Sequence, residues 1–395
     1  MSDDKVVIVS AKRTSIGSFQ GNFESLKATE LGSRVIEKNI NDISINPKEI
    51  DETIMGCVLP AGLGQAPARQ AAMGAGIPSE SGATTINKMC GSGMKSIMFG
   101  HDSIKAQQNN IVVAGGLENM TNAPYILSKA RKGFRMGHAD VKDHMFLDGL
   151  EDAYEEGKLM GSFAEDTAEH YQFTREQQDN FAITSLERAK KANEDGTFES
   201  EIVPIKVLNR KNEIIINKDE QPFKSDITKI PTLKPAFRKN GTVTAANSSS
   251  ISDGASSVIL MLESEAQKRG IKPLARIIDH STNSQEPKWF TTAPIGAIEK
   301  VLEKSGWKKT DVDLFEVNEA FAVVPMAVMK DIGISNDILN IYGGACALGH
   351  PVGASGTRIV TTLINALKKN NLKKGVASLC IGGGEATALT LEIIN

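Results

Sequence analysis

The feature that most constrains this chain is a repeat, because stretches about 260 residues apart match in order and in kind. Asp51-Glu-Thr-Ile-Met-Gly-Cys-Val is paralleled by Asp311-Val-Asp-Leu-Phe-Glu-Val-Asn, an offset of 260. Cys90, ahead of Gly91-Ser-Gly-Met-Lys-Ser-Ile, is paralleled at the same offset by His350, ahead of Pro351-Val-Gly-Ala-Ser-Gly-Thr-Arg-Ile. Val113-Ala-Gly-Gly and Cys380-Ile-Gly-Gly stand 267 apart, the drift that one surface insertion gives. Repetition on the scale of a domain implies two similarly folded halves. It brings Cys90 and His350 to equivalent places across one pseudo-twofold axis. At 395 residues the chain is longer than one core usually grows, which suits two or three packed units.

Within the first 120 residues, short apolar runs alternate with helical periods. Strands are expected at 6–9, 53–58, 84–87 and 111–114, and helices at 29–41, 67–75 and 93–108. Such alternation implies a parallel, layered α/β sheet. From 121 to 247 the sequence is richer in charge and loop residues. Its best helix opens at Thr174-Arg-Glu-Gln177, a capping-box pattern, and carries Ala182, Leu186, Ala189 and Ala192 on one side. An inserted loop domain is expected there. Strand character returns at 257–262 and the alternation then runs to the C-terminus. The division is therefore one half from 1–120 plus 248–272, a loop domain over 121–247, and a second half over 273–395.

A formal charge of −3 gives no electrostatic basis for nucleic-acid binding. No apolar run approaches the roughly 18–20 residues of a membrane span, and the first residues lack the basic and long apolar segments of a signal peptide. The four cysteines, Cys57, Cys90, Cys346 and Cys380, are spaced unlike a metal knuckle or a secreted disulfide framework. A cytoplasmic protein with free thiols and no metal centre is expected.

Four side chains could carry chemistry. Cys90 falls between a short strand and a helix, where unpaired N–H groups and the helix dipole favour thiolate. Gly91 and Gly93 would allow a sharp turn and leave room for a substrate. The same cysteine could equally be a buried structural thiol. His350 lies among glycines, with Pro351 fitting the first turn of a helix, and reads as a base or oxyanion donor or as a surface loop residue. Cys380 ends an apolar strand before Gly382-Gly-Gly, whose N–H groups could bind an oxyanion, although a core cysteine before a tight turn is the plainer reading. Asn318 ends another strand and could hold water or cap the following helix. His138 and His144, six apart in a charged loop, read as surface. No dinucleotide, P-loop or serine-elbow spacing occurs.

Together, Asn87-Lys-Met-Cys-Gly-Ser-Gly-Met-Lys, Gly115-Gly-Leu-Glu-Asn-Met-Thr-Asn-Ala-Pro-Tyr125, Asn318-Glu-Ala-Phe, Gly343-Gly-Ala-x-Ala-Leu-Gly-His-Pro-Val-Gly-Ala-Ser-Gly and Cys380-Ile-Gly-Gly-Gly resemble the thiolases, on their short-chain side. The match covers nearly the whole chain in order. The resemblance implies two duplicated αβαβα halves with an inserted loop domain. It also implies ping-pong Claisen chemistry on acetyl-CoA and acetoacetyl-CoA, with coenzyme A as substrate and product, no tightly bound cofactor and a role in lipid metabolism. By the same resemblance Cys90 is the nucleophile, His350 its activator, and Cys380 the acid/base at the α-carbon. Asn318 (through a water) and His350 form one oxyanion hole, and the N–H groups of Cys90 and Gly382 the other. Met160, Lys224, Phe237, Ala245, Ser249, Phe290, Ala320 and Phe321 match substrate or coenzyme A contacts. The family further suggests a dimer of dimers, with residues 124–146 in the tetramer contact. The chain departs from the family at Leu159, Phe290, Lys224 and Ala386, which bears on the pocket. Phe223 stands where potassium-dependent relatives have Tyr, so no bound cation is expected. A broader-chain 3-ketoacyl-CoA thiolase, a ketoacyl-ACP synthase and a silent CoA-binding module are the alternatives.

Overall fold

The computed structural model describes residues 4–209 and 212–394. Up to the loop region the chain forms β1 (Val6–Thr14), β2 (Gly17–Ser18), α1 (Ala28–Asp42), β3 (Glu52–Gly56), α2 (Pro67–Gly74), β4 (Gly82–Ile86), α3 (Ser92–Lys105) and β5 (Ile111–Asn119). The loop region holds β6 (Tyr125–Leu127), β7 (Val141–Asp143), α4 (Met160–Tyr171), α5 (Arg175–Glu194), β8 (Ile202–Val203), β9 (Ile205–Asn209), β10 (Asn212–Ile216) and α6 (Gln221–Lys224). The chain then continues through β11 (Ser252–Leu262), α7 (Glu263–Lys268), β12 (Ala275–Ser284), α8 (Ala293–Ser305), β13 (Leu314–Val317), α9 (Val323–Val328), α10 (Ala345–Leu348), α11 (Val352–Lys369), β14 (Lys374–Ile381) and β15 (Glu385–Ile393).

The main sheet runs β13-β14-β15-β12-β1-β11-β5-β3-β4. Outward from the β1/β12 seam the two sides repeat. Antiparallel β1–β11–β5 then parallel β3 is answered by antiparallel β12–β15–β14 then parallel β13. Helices α3 and α11, which start 260 residues apart at Ser92 and Val352, contact each other and both sides of the sheet, while α1 covers β1, β5 and β11 and α8 covers β12, β14 and β15. The layering is therefore helix, half-sheet, helix pair, half-sheet, helix, which is the duplicated αβαβα arrangement expected from the repeat.

Sequence explains why α11 can sit in the middle layer. Ile359, Val360, Leu363, Ile364 and Leu367 are all buried, so it lacks the polar face of a surface helix. Its Gly-Ala-Ser-Gly start lets α3 cross at backbone distance: a Cβ at Gly356 would lie 2.2 Å from Met94 N, and one at Gly93 would lie 2.8 Å from Thr357 N. Gly93 thus serves helix packing, and the sharp turn expected of Gly91 and Gly93 falls elsewhere. Gly91 is right-handed (φ −78°), whereas Met89, directly before the cysteine, takes φ +46°.

The loop region is more ordered than a charge-rich insertion suggests. The capping box forms as expected, Gln177 N donating to Thr174 Oγ1 at 3.2 Å and Thr174 N to Gln177 Oε1 at 2.9 Å. A second helix, α4, packs on the second half through buried Phe163 and Ala164. Strand β8 extends the main sheet by pairing parallel with Arg13 and Thr14, so the insertion also contributes to it. Residues 210 and 211, within the charged stretch read from the sequence, lie outside the described residues. His144 is a further correction. It is buried, with Nδ1 2.6 Å from Asp148 Oδ2 one helical turn on, so local charge in the sequence did not report its exposure.

Candidate active site

Cys90 lies between β4 and α3, in the lining of a cavity of about 440 Å³. Its Sγ accepts from its own N–H and from that of Gly382, which crosses from the β14–β15 turn. Burial pushes the thiol up to about 11, and these two N–H groups pull it back. Gly383 and Gly384, at φ +94° and +89°, make the turn that aims Gly382 at the sulfur. One strained residue and one left-handed glycine pair therefore bring two amides to a single point.

His350 lines the same cavity from the start of α11. Its Nδ1 lies 2.6 Å from Ser355 Oγ, and that hydroxyl in turn donates to Pro351 O at 3.0 Å. The ring proton therefore sits on Nδ1, leaving Nε2 as the acceptor, 3.4 Å from Asn318 Nδ2. Burial first, then the Arg358 charge, hold the imidazole down to about 3, so it is neutral at physiological pH and able to take a proton.

Asn318 is fully buried and does not cap a helix, since α9 begins only at Val323. Its Oδ1 accepts from Arg358 at 3.4 Å, and Arg358 donates to Glu316 Oε1 at 3.0 Å. That contact fixes which way the amide points, Nδ2 toward His350. Sequence reading missed this buried Glu316–Arg358 pair. Burial nevertheless pushes Glu316 up to about 8. It also missed Glu118, which accepts from the N–H groups of Val58 (3.0 Å), Leu59 (3.1 Å) and Gly353 (2.8 Å). Glu118 ties the loop after β3 to the start of α11, and so helps hold the segment that carries His350. The only sequence trace of it is its place in Gly115-Gly-Leu-Glu-Asn.

Cys380 is completely buried at the end of β14, and burial together with the nearby Cys90 raises its thiol well above the ordinary range. It and Asn318 stand behind the cavity wall, whereas Gly382, Met160, Phe237, Ala245, Ser249, Phe290, Ala320 and Phe321 line the cavity. Three of these stack edge-on: Phe237 on Phe321 at 5.9 Å and Phe290 on Phe321 at 6.4 Å. Leu159 joins them, as do Met89, Phe146 and Val352, which sequence reading did not single out. Lys224 does not line this cavity. It pairs with Glu220 at 2.6 Å and faces an adjoining cavity of about 260 Å³ that shares Gln221, Ala245 and Ser250. An apolar chamber ending on a thiol, with a polar annex beside it, suits a small acyl group on a long polar carrier.

Comparison with known proteins decides the family. Residues 6–264 match the model of the thiolase N-terminal domain, and 271–393 that of the thiolase C-terminal domain. This chain is a thiolase. A probable acetyl-CoA acetyltransferase of Dictyostelium discoideum is 50% identical over 98% of the thiolase and 94% of that protein. The crystal structure of the Bacillus anthracis acetyl-CoA acetyltransferase superposes with a TM-score of 0.96 at 40% identity, covering 99% of each chain. The Ascaris suum Acat5 thiolase, solved with coenzyme A, gives a TM-score of 0.94 at 40% identity over 99% of this thiolase and 100% of that chain. No helix among the described residues of the thiolase is long and apolar enough to cross a membrane.

Proposed function

We propose that this thiolase is an acetyl-CoA C-acetyltransferase, joining two acetyl-CoA into acetoacetyl-CoA and free coenzyme A and running the reverse thiolysis. The observation that carries this reading is Cys90 Sγ held by two backbone N–H groups in an apolar chamber that His350 shares. Cys90 sulfur attacks the acetyl carbonyl, His350 Nε2 takes the thiol proton, and the tetrahedral oxyanion rests on the N–H groups of Cys90 and Gly382. The carbon–sulfur bond to coenzyme A breaks and its sulfur receives that proton. The depressed basicity of His350 favours handing the proton on rather than keeping it.

In the second half, Cys380 passes its thiol proton to Nε2 of His350 and, as thiolate, takes the α-proton of a second acetyl-CoA. The enolate oxygen is held by that Nε2–H of His350 and by a water on Asn318. The enolate carbon attacks the acetyl carbon, and Cys90 leaves as a thiolate and takes the proton from His350. A sulfur whose conjugate acid burial holds high is the stronger base for so weak an acid, and the oxyanion hole contributes several kcal/mol toward the barrier. Met160, Phe237, Ala245, Ser249, Phe290, Ala320 and Phe321 would surround the acyl and pantetheine end, with Lys224 in the annex toward the nucleotide. The names of the relatives favour acetyl transfer over a broader chain-length range.

The division into halves at 1–120 with 248–272 and 273–395, around a loop domain at 121–247, belongs to the same reading. So do a cytoplasmic setting and a dimer of dimers. The β6–β7 hairpin supports the assembly, since it exposes Tyr125, Leu127, Met136 and Val141, apolar groups that a partner would cover. Mass spectrometry after incubation with acetyl-CoA tests the chemistry. The peptide containing Cys90 should gain one acetyl group in the parent and in Cys380→Ser, while Cys380→Ser makes no acetoacetyl-CoA. An unlabelled Cys90 would overturn the assignment.

A further inference from the structure

Outside the catalytic chamber, two of the six histidines converge on one carboxylate. His101 and Asp102 are on α3, and His280 is on β12, so the cluster joins the two halves of the molecule. Asp102 Oδ1 lies 3.0 Å from His101 Nδ1 and 2.9 Å from His280 Nε2. The two imidazoles stand edge to face, centroids 5.0 Å apart. One ligand atom from each of the three residues falls within 4.8 Å of the others. No local pattern announces the cluster, because 178 positions separate Asp102 from His280.

We propose that His101, Asp102 and His280 form a binding site for a transition-metal dication, Zn²⁺ in first place, with its fourth position open to solvent. Tetrahedral zinc bonds of about 2.0–2.1 Å set neighbouring ligand atoms about 3.3 Å apart and two bound imidazoles about 5 Å centre to centre. The two nitrogen–oxygen spacings and the ring separation differ from these by a few tenths of an ångström, and the two ring nitrogens fall within 4.8 Å of each other. Both rings are largely enclosed while Asp102 is more than half exposed, so the open position faces outward.

The surrounding charge selects among ions. Lys105 acts on His101, Asp102 interacts with Lys95, and Lys304 donates to the His280 carbonyl at 2.7 Å while pairing with Asp279. These ammonium groups disfavour Ca²⁺ and Mg²⁺, which bind through carboxylate charge. A nitrogen-rich set still favours Zn²⁺, Co²⁺, Ni²⁺ and Cu²⁺. A metal here would staple α3, the helix that starts beside Cys90, to β12 of the other half.

Titration of the full-length enzyme with Co²⁺ tests this, because a tetrahedral cobalt site gives visible absorption that Zn²⁺ displaces. One site per chain is expected, unaffected by Mg²⁺ or Ca²⁺, with a raised thermal midpoint. Affinity should drop by more than about 100-fold in His280→Gln, beyond the roughly 10–100-fold that outer-shell changes cost. Asp102→Asn, at an exposed position, should weaken binding without unfolding the protein. Absence of the visible band, or a band unchanged in both variants, would overturn the proposal. So would a thiolate-to-cobalt charge-transfer band, which would place the ion on the catalytic cysteines.

Discussion

Helices α3 and α11 are counterparts in the two halves, yet their starts do opposite things. At the start of α3 stands a sulfur in the cavity lining, its acidity set by backbone amides and burial. At the start of α11 stands an imidazole whose Nδ1 is sealed by Ser355 and whose Nε2 meets Asn318, an amide oriented by a buried ion pair. In the proposed reaction the first half therefore presents the atom to be modified, and the second presents fixed donors and acceptors around it. Duplication supplied two equivalent positions, and different surroundings gave them different chemistry. The same contrast separates β5 from β14. Both lead into a glycine pair, but β5 continues through Gly115 and Gly116 to the buried carboxylate Glu118, while β14 ends just after Cys380 in a turn that points an amide at the partner half.

The comparison breaks most completely at the sulfur. Cys90→Ala should leave less than about 1% of acetyl transfer, a loss of at least ~3 kcal/mol in transition-state stabilisation, with coenzyme A binding still measurable by calorimetry. Residual turnover well above that level would mean that another group carries the acetyl. On the sealed side, Arg358→Met removes one partner of a buried pair. The cost should be about 3 kcal/mol of stability, the low end for such pairs, because Glu316 is already pushed up to about 8 and can take a proton. Urea denaturation reads this cost. A second readout separates positioning from packing. Arg358 helps hold His350 down to about 3, so without it the imidazole pKa rises and the acid limb of kcat should move to higher pH. An unmoved acid limb would make Arg358 structural only.

How much of this was readable in advance follows from which interactions are local. The 260-residue offset could be read because duplicated elements keep their internal spacing, and α3 and α11 start at that offset. The capping box at Thr174 and Gln177 was readable for the same reason, since both partners lie within one turn. The Glu316–Arg358 pair, the Glu118–Gly353 bond and the convergence of His280 on Asp102 join residues 42, 235 and 178 positions apart. No periodicity reports such contacts. Burial of charge is a tertiary decision, and His144 shows the same limit inside a single loop.

A smaller effect contrasts two neighbouring glycines. Gly384 holds φ +89°, and a Cβ there would lie 2.3 Å from Gln285 O, so Gly384→Ala should cost about 1–3 kcal/mol and disturb the turn. At Gly382 a Cβ would meet only Met160 Sδ at 3.5 Å, ordinary contact. Gly382→Ala should therefore change thermal stability by less than about 0.5 kcal/mol. Equal losses in the two variants would show that the turn is not what positions the Gly382 amide.

The smallest expected effect lies at Ser355, and it tests the imidazole directly. Ser355 Oγ touches His350 Nδ1 at 2.6 Å and donates to Pro351 O, so its lone pair holds the ring proton on Nδ1. Ser355→Ala removes that acceptor from a site where water has little access, leaving Nδ1–H without its partner. A single hydrogen bond of this kind is worth about 1 kcal/mol, which corresponds to roughly a five-fold loss in kcat. Ser355 does not line the cavity, so KM for acetyl-CoA should stay as it is. The loss should appear in the rate of Cys90 acetylation, because there Nε2 has to be the bare nitrogen. A loss confined to condensation, with acetylation at the parent rate, would assign Ser355 to the enolate step and put the activating proton on a different path.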